Sequence, residues 1–205
     1  MTDQSPIHPY IEQAKNRLDE IDASIAHFEA RAQDLKSDVR AKTDAAIAKM
    51  KSNRDAYRAW VKENQEIGEA VTAEAREKLT AEWAKFEDNV MAYFDAAAGM
   101  YEQDKAYFQV RIEAQKEAWK KTMDRVKAAA KTFQTKRKAD LDAAVATLEK
   151  KADIASAKLK DLNKAGNASW AAIRDALSAS RAAFDKAMGE TQSAFKEAMK
   201  TTEDA

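Results

Sequence analysis

The sequence predicts an all-α protein: an elongated antiparallel coiled-coil rod of about three long helices, or four if the chain breaks near Gly99. Three observations carry this. The 205 residues include only four glycines and two prolines, so there is little turn punctuation. Charged residues make up 34% and hydrophobic residues 45%, the mixture of long paired helices. Apolar residues recur every three or four positions along almost the whole chain.

Residues 1–6 read as an unstructured lead, and Ser5-Pro6 or Pro9 opens the first helix, where proline is tolerated in the first turn. From Leu18 a heptad pattern sets in. Leu18, Ile25, Ala32, Val39 and Ala46 step by seven, and Ile21, Phe28 and Leu35 fill the second seam until Lys42 interrupts it. Met50, Tyr57, Trp60, Val61 and Ile67 extend the stripe to Gly68, a natural residue after a helix end. The stretch Glu69–Asn163 has no proline and only Gly99, and it reads as one continuous spine of roughly 140 Å. Its stripe runs through Leu79, Trp83, Phe86, Val90, Phe108, Ile112, Trp119, Val126 and Phe133 to Leu141, Leu148 and Leu159. The segment Asn163-Lys-Ala-Gly-Asn-Ala-Ser169 predicts a turn, with Gly166 in the left-handed conformation. The last helix, near 168–200, repeats every eleven residues: Ile173, Phe184, Phe195 and Leu177, Met188, Met199.

The chain also repeats at an offset of 98 residues. Sixteen of 46 positions in 41–86 match 139–184, among them Asp55/Asp153, Lys62/Lys160, Gly68/Gly166, Arg76/Arg174, Leu79/Leu177 and Phe86/Phe184. Two helical repeat units, 1–98 and 99–205, are expected within one elongated domain with a pseudo-twofold axis. The uncovered halves 10–36 and 108–134 would then pair antiparallel, with Ile21, Ile25 and Phe28 facing Trp119, Val126 and Phe133.

Two segments carry a resemblance. Tyr10-Ile-Glu-Gln-Ala-Lys-Asn-Arg-Leu-Asp-Glu-Ile-Asp, and Ser169-Trp-Ala-Ala-Ile-Arg-Asp-Ala-Leu with Ala183-Phe-Asp-Lys-Ala, resemble the start and the Trp-led C-terminal helix of small Ala/Lys/Glu-rich bacterial coiled-coil stress-response-type proteins. Here they stand as a tandem duplication. The resemblance implies a non-enzymatic cytosolic helical protein and assigns no functional residue.

Chemistry is sparse. With no cysteine, disulfides, thiolate metal sites and cysteine nucleophiles are excluded. The histidines are His8 and His27, preceded at the third position back by Ser5 and Ser24, so the Glu-x-x-His pairing of di-iron bundles is missing. No Gly-rich phosphate loop occurs. No catalytic, cofactor-binding or metal-binding residue is expected, and no cofactor. The opening six residues lack the basic and apolar regions of a signal peptide, and no apolar run would span a membrane, so the cytoplasm is the expected location.

Interaction is the remaining expectation. Trp60, Trp83, Trp119, Trp170, Phe184 and Phe195 are the candidate interaction surface, because bulky aromatics suit interfaces; packing inside the rod or its dimer is the plainer reading. Residues 1–98 carry a net charge of −5 and 99–205 of +5. The segment 116–138 is the most basic, and Lys120, Lys121, Lys127, Lys131, Lys136, Arg137 and Lys138 form a candidate basic patch. Association with acidic helix faces of another chain accounts for it better than nucleic acid, since the chain is neutral overall. The expected function is a self-associating or partner-binding helical scaffold, with a homo-oligomer as its form. The alternative is a peripheral lipid- or granule-surface protein, apolipoprotein- or phasin-like, using the apolar stripe of the last helix.

Overall fold

The computed structural model describes residues 8–65, 73–97, 101–133, 137–164 and 170–203. Among these there are six helices and no strand: α1 Pro9–Ala32, α2 Ser37–Gln65, α3 Ala73–Ala96, α4 Tyr101–Thr132, α5 Lys138–Lys164 and α6 Trp170–Glu203. The all-helical expectation holds. The long spine and the three-helix count do not.

Both long arms are broken at places that carry neither glycine nor proline. After Ala32 the backbone tightens, with Asp34 N–H donating to the Arg31 carbonyl at 3.2 Å and Leu35 N–H to that of Ala32 at 3.3 Å. The helix restarts where Arg40 N–H donates to the Lys36 carbonyl, with Asp38 placed in the positive first turn of α2. The spine breaks in the same way. Phe133 N–H donates to the Ala130 carbonyl at 3.3 Å, then Leu141 N–H reaches that of Arg137, and Asp140 sits in the first turn of α5. The expected helix over 69–163 is thus divided into α3, α4 and α5, with α3 ending at Ala96 and α4 beginning at Tyr101, on either side of Gly99, where the sequence allows a break. Gly68, Gly99 and Gly166 lie outside the described residues, as does the predicted backbone conformation of Gly166. On either side of it α5 ends at Lys164 and α6 begins at Trp170.

The chain forms two compact units. Unit I is Ala14–Gln115, and unit II is Met1–Gln13 with Lys116–Ala205. In unit I the helices alternate in direction. Arg17 meets Tyr57, Asp22 meets Arg54 and Glu29 meets Lys51, so α1 and α2 are antiparallel. Glu87 with Arg111 and Phe94 with Tyr107 set α3 against α4. Glu20 with Arg111 and Ser24 with Tyr107 set α4 against α1, while Arg17 over Trp83 and Phe28 on Phe94 make α1 and α3 the parallel diagonal. The section is that of an up-down-up-down bundle. Ile21, Phe28, Met50, Tyr57, Phe86 and Val90 fill its core.

In unit II, α5 and α6 are antiparallel, joined by Arg137 to Glu197 and Lys151 to Glu190. The second part of α4 runs parallel to α6, with Trp119 stacked on Phe184 and Phe133 edge-on to Phe195. The pairing of 10–36 with 108–134 is antiparallel as expected, but in another register. Within unit I Phe28 packs on Tyr93 and Tyr107, with Glu20 opposite Arg111, and within unit II Trp119 packs on Phe184. Within unit I α1 packs against α2 and the first half of α4, and within unit II its start, at Glu12, meets Thr122 and Arg125 of the second half.

Candidate functional site

The most unusual chemistry in the described residues lies inside unit I. Arg111 on α4 is fully buried. Its Nη2 donates to Glu20 Oε2 at 3.2 Å and to Glu87 Oε1 at 2.7 Å, and its Nη1 donates to Glu87 Oε2 at 3.0 Å. Glu87 thus takes a two-pronged grip and Glu20, itself buried, takes a single bond. The guanidinium also lies 5.6 Å from the Trp83 ring centroid and 5.8 Å from that of Tyr107. Arg17 approaches Trp83 from α1 at 5.5 Å and donates to the Tyr57 hydroxyl at 3.5 Å. Three helices, α1, α3 and α4, converge on one charged node, and α2 reaches its edge through the contact of Tyr57 with Arg17.

The node is closed by hydroxyls. Ser24 donates to the Glu20 carbonyl at 2.7 Å, which leaves its oxygen to accept from the Tyr107 hydroxyl at 3.2 Å. Burial pushes the Tyr107 phenol up to about 12, since its anion would be stranded away from water. Burial alone works against the Arg111 charge, but the Tyr107 oxygen and the carboxylates of Glu87 and Glu20 outweigh it and raise its pKa. At neutral pH Tyr107 is protonated, so the two carboxylates are what hold Arg111 charged. Beside this node Phe28, Tyr93, Phe94 and Tyr107 interlock, with centroids 4.1 Å apart for Phe28–Tyr93 and 4.6 Å for Phe28–Tyr107. His27 leans on Phe28 and Tyr107, and burial, then the Arg31 charge, lowers its pKa.

Unit II has a smaller node. Glu12 accepts from Arg125 through both Nε and Nη2 and from Thr122 Oγ1 at 3.3 Å. Among the described residues no group of three or more His, Asp and Glu side chains is placed to hold a metal ion. Both nodes pair acid with base between helices, the unit I node sealed from water and the unit II node open at Arg125, whose side chain is 47% exposed. Such pairing fixes helix register, and the sealed node offers no open position for a reacting group.

The structure redistributes the residues expected to form an interaction surface. Trp60, Trp119, Phe184 and Phe195 are buried within their own units, and Trp83 is half-buried beneath two arginines. These rings are core, not an outward patch. The side chain of Trp170 lies outside the described residues. In the apolar stripe of the last helix Leu177, Phe184, Met188 and Phe195 are buried and Met199 is half-buried, while the side chains of Trp170 and Ile173 lie outside the described residues. The basic residues fare differently. Lys120, Lys121, Lys127, Lys131 and Arg137 are exposed and Lys138 is half-buried, while Lys136 is outside the described residues. Several are committed within unit II: Lys127 to Glu149, Arg137 to Asp140 and Glu197, Lys138 to Asp142. No helix among the described residues is long and apolar enough to cross a membrane.

The buried Glu20–Arg111–Glu87 node went unread in the sequence. The signal was present: Arg111 lies in line with Phe108, Gln115 and Trp119, where the stripe calls for an apolar side chain.

Compared with protein families, with curated proteins and with solved structures, the chain finds no match.

Proposed function

We propose that this protein is a non-enzymatic cytoplasmic helical scaffold that self-associates, or binds a partner, through the charged outer faces of its helices. The observation that carries the reading is the sealed Glu20–Arg111–Glu87 node. A charge cluster with no mouth serves rigidity and register rather than turnover, and a scaffold needs both. The outer faces support it. They carry charges of both signs at high density, as in Arg54 and Arg58 with Asp22, or Lys151 with Glu190. The halves of the chain carry opposite net charge, which favours head-to-tail contact between copies.

The internal duplication supports a modular scaffold as well. Helix breaks recur after Ala32 and after Thr132, near the 98-residue offset. The parallel diagonal pairs, Phe28 with Phe94 and Trp119 with Phe184, also join residues at nearly the same separation in each half.

Light scattering coupled to size exclusion tests this. A mass above that of one chain is expected in dilute buffer, falling towards monomer as salt rises to about 0.5 M and shortens the screening length. A strict monomer at every concentration and ionic strength removes self-association, and pull-down with the acidic N-terminal half then has no basis.

A further inference from the structure

One groove in unit II has no part in the packing described so far. It lies between α5 and α6 and holds about 460 Å³. Ile154, Ala155 and Leu159 form one wall and Ala176, Ala179 and Ala183 the other. The alanines keep the trench open, because α6 lines it with side chains no longer than that of Ser180. Ile154 is 48% exposed, an outlier among the large hydrophobics of the described residues. The hydroxyl of Ser180 does not make the groove polar, since it donates to the Ala176 carbonyl of its own helix. The charged groups in the lining are Lys151 and Lys158, two turns apart on α5. Lys151 is held by Glu190 at 3.0 Å, and Lys158 is exposed at the other end.

We infer that this groove binds the alkyl chain of a single long-chain carboxylate, with the Lys158 ammonium taking the carboxylate. The volume lies in the range of about 300–1,000 Å³ usual for small-molecule sites. The lining is apolar along its length and cationic at its rim, which matches an apolar chain with an anionic head. A second copy of the protein fits less well. A twofold axis at Ile154 would bring Lys151 of one copy against Lys158 of the other, like charge against like. A bilayer is broad, whereas a trench between two helices admits one chain. The site is independent of the association proposed above.

Binding to the full chain is measured by calorimetry below the micelle concentration, with dodecanoate, tetradecanoate and dodecanol as probes. Saturable binding of one dodecanoate per chain is expected. Two further methylenes should tighten it by roughly four-fold each. Dodecanol should bind roughly threefold more weakly, the worth of one exposed ion pair. Lys158→Glu should weaken dodecanoate but leave dodecanol unchanged. Ala179→Trp, at an exposed position the fold tolerates, should block both while helicity and Tm are kept.

Absence of saturable binding overturns the site, as does binding indifferent to Ala179→Trp or dodecanol bound as tightly as dodecanoate. Two controls identify the other occupants. If Ala179→Trp abolishes sedimentation with phosphatidylcholine/phosphatidylglycerol vesicles while dodecanoate does not bind, the groove belongs to a membrane. If it abolishes self-association instead, the groove belongs to a second copy. Either result also overturns the carboxylate site.

Discussion

Arg111 and Glu20 meet at 3.2 Å from opposite ends of unit I's sequence, and both side chains are sealed from water. Each is tolerable there only because of the other. An unpaired buried charge costs far more than the pair contributes.

Arg111→Ala should therefore destabilise the protein by about 3–5 kcal/mol in urea unfolding, because Glu20 and Glu87 are left facing each other without a cation. Arg111→Lys should fall in between, since one ammonium cannot serve the two-pronged contact to Glu87. A loss below about 1 kcal/mol for the alanine variant would show that water reaches the node, and the rigid-register reading of unit I would fail.

Tyr107 gives a pH signature. Its folded pKa, pushed up to about 12, lies above the ordinary 10, so between these values the folded state holds a proton that the unfolded chain has lost. Stability from this group is complete below pH 10 and declines as pH rises through 12. Tyr107→Phe should remove that decline and cost about 1 kcal/mol at neutral pH, since Ser24 still donates to the Glu20 carbonyl. Absorbance titration of the phenolates should show Tyr107 among the last to ionise. If wild type and variant lose stability in parallel above pH 10, the burial assigned to this phenol is wrong.

Gly189 lies within α6, and a Cβ built on it meets nothing within 4 Å. No packing reason for glycine exists there. Gly189→Ala should stabilise the protein by about 0.5–1 kcal/mol, raising Tm without changing helicity or mass. A lower Tm would mean that α6 makes a close contact at this point in an assembly.

How far the fold could be read from sequence differs by feature. Helix type and core were legible because burial follows the apolar stripe: Ile21, Ile25, Phe28, Phe86, Val90, Leu141 and Leu148 are all interior. The α2–α3 and α5–α6 pairings were legible from the glycines between them. The breaks after Ala32 and Thr132 were not. Their turns are made by ordinary residues with three-residue hydrogen bonds, so no glycine or proline marks them. Leu35 and Phe133 even continue the seam in sequence. The buried node was hidden for a related reason: in a chain one-third charged, an arginine on the inner face looks like any other until its partners from α1 and α3 are placed beside it. The aromatic residues left two readings open, internal packing as the plainer and an interaction surface as the other, because tryptophan is bulky for a two-helix seam. The four-helix section of unit I has the room, and there the objection lapses.

The division of the chain into Ala14–Gln115 and the flanking remainder bears on how the protein is made. Synthesis runs from the N-terminus, and domains generally close as their residues emerge. Unit I is contiguous, so everything it needs is present once Gln115 has been added. Unit II must wait. Glu12 is made before any residue of unit I, but its partners Thr122 and Arg125 arrive more than a hundred residues later. The start of α1 is thus held in reserve while the whole of unit I is made, and the birth order of the two units follows from the threading of the chain.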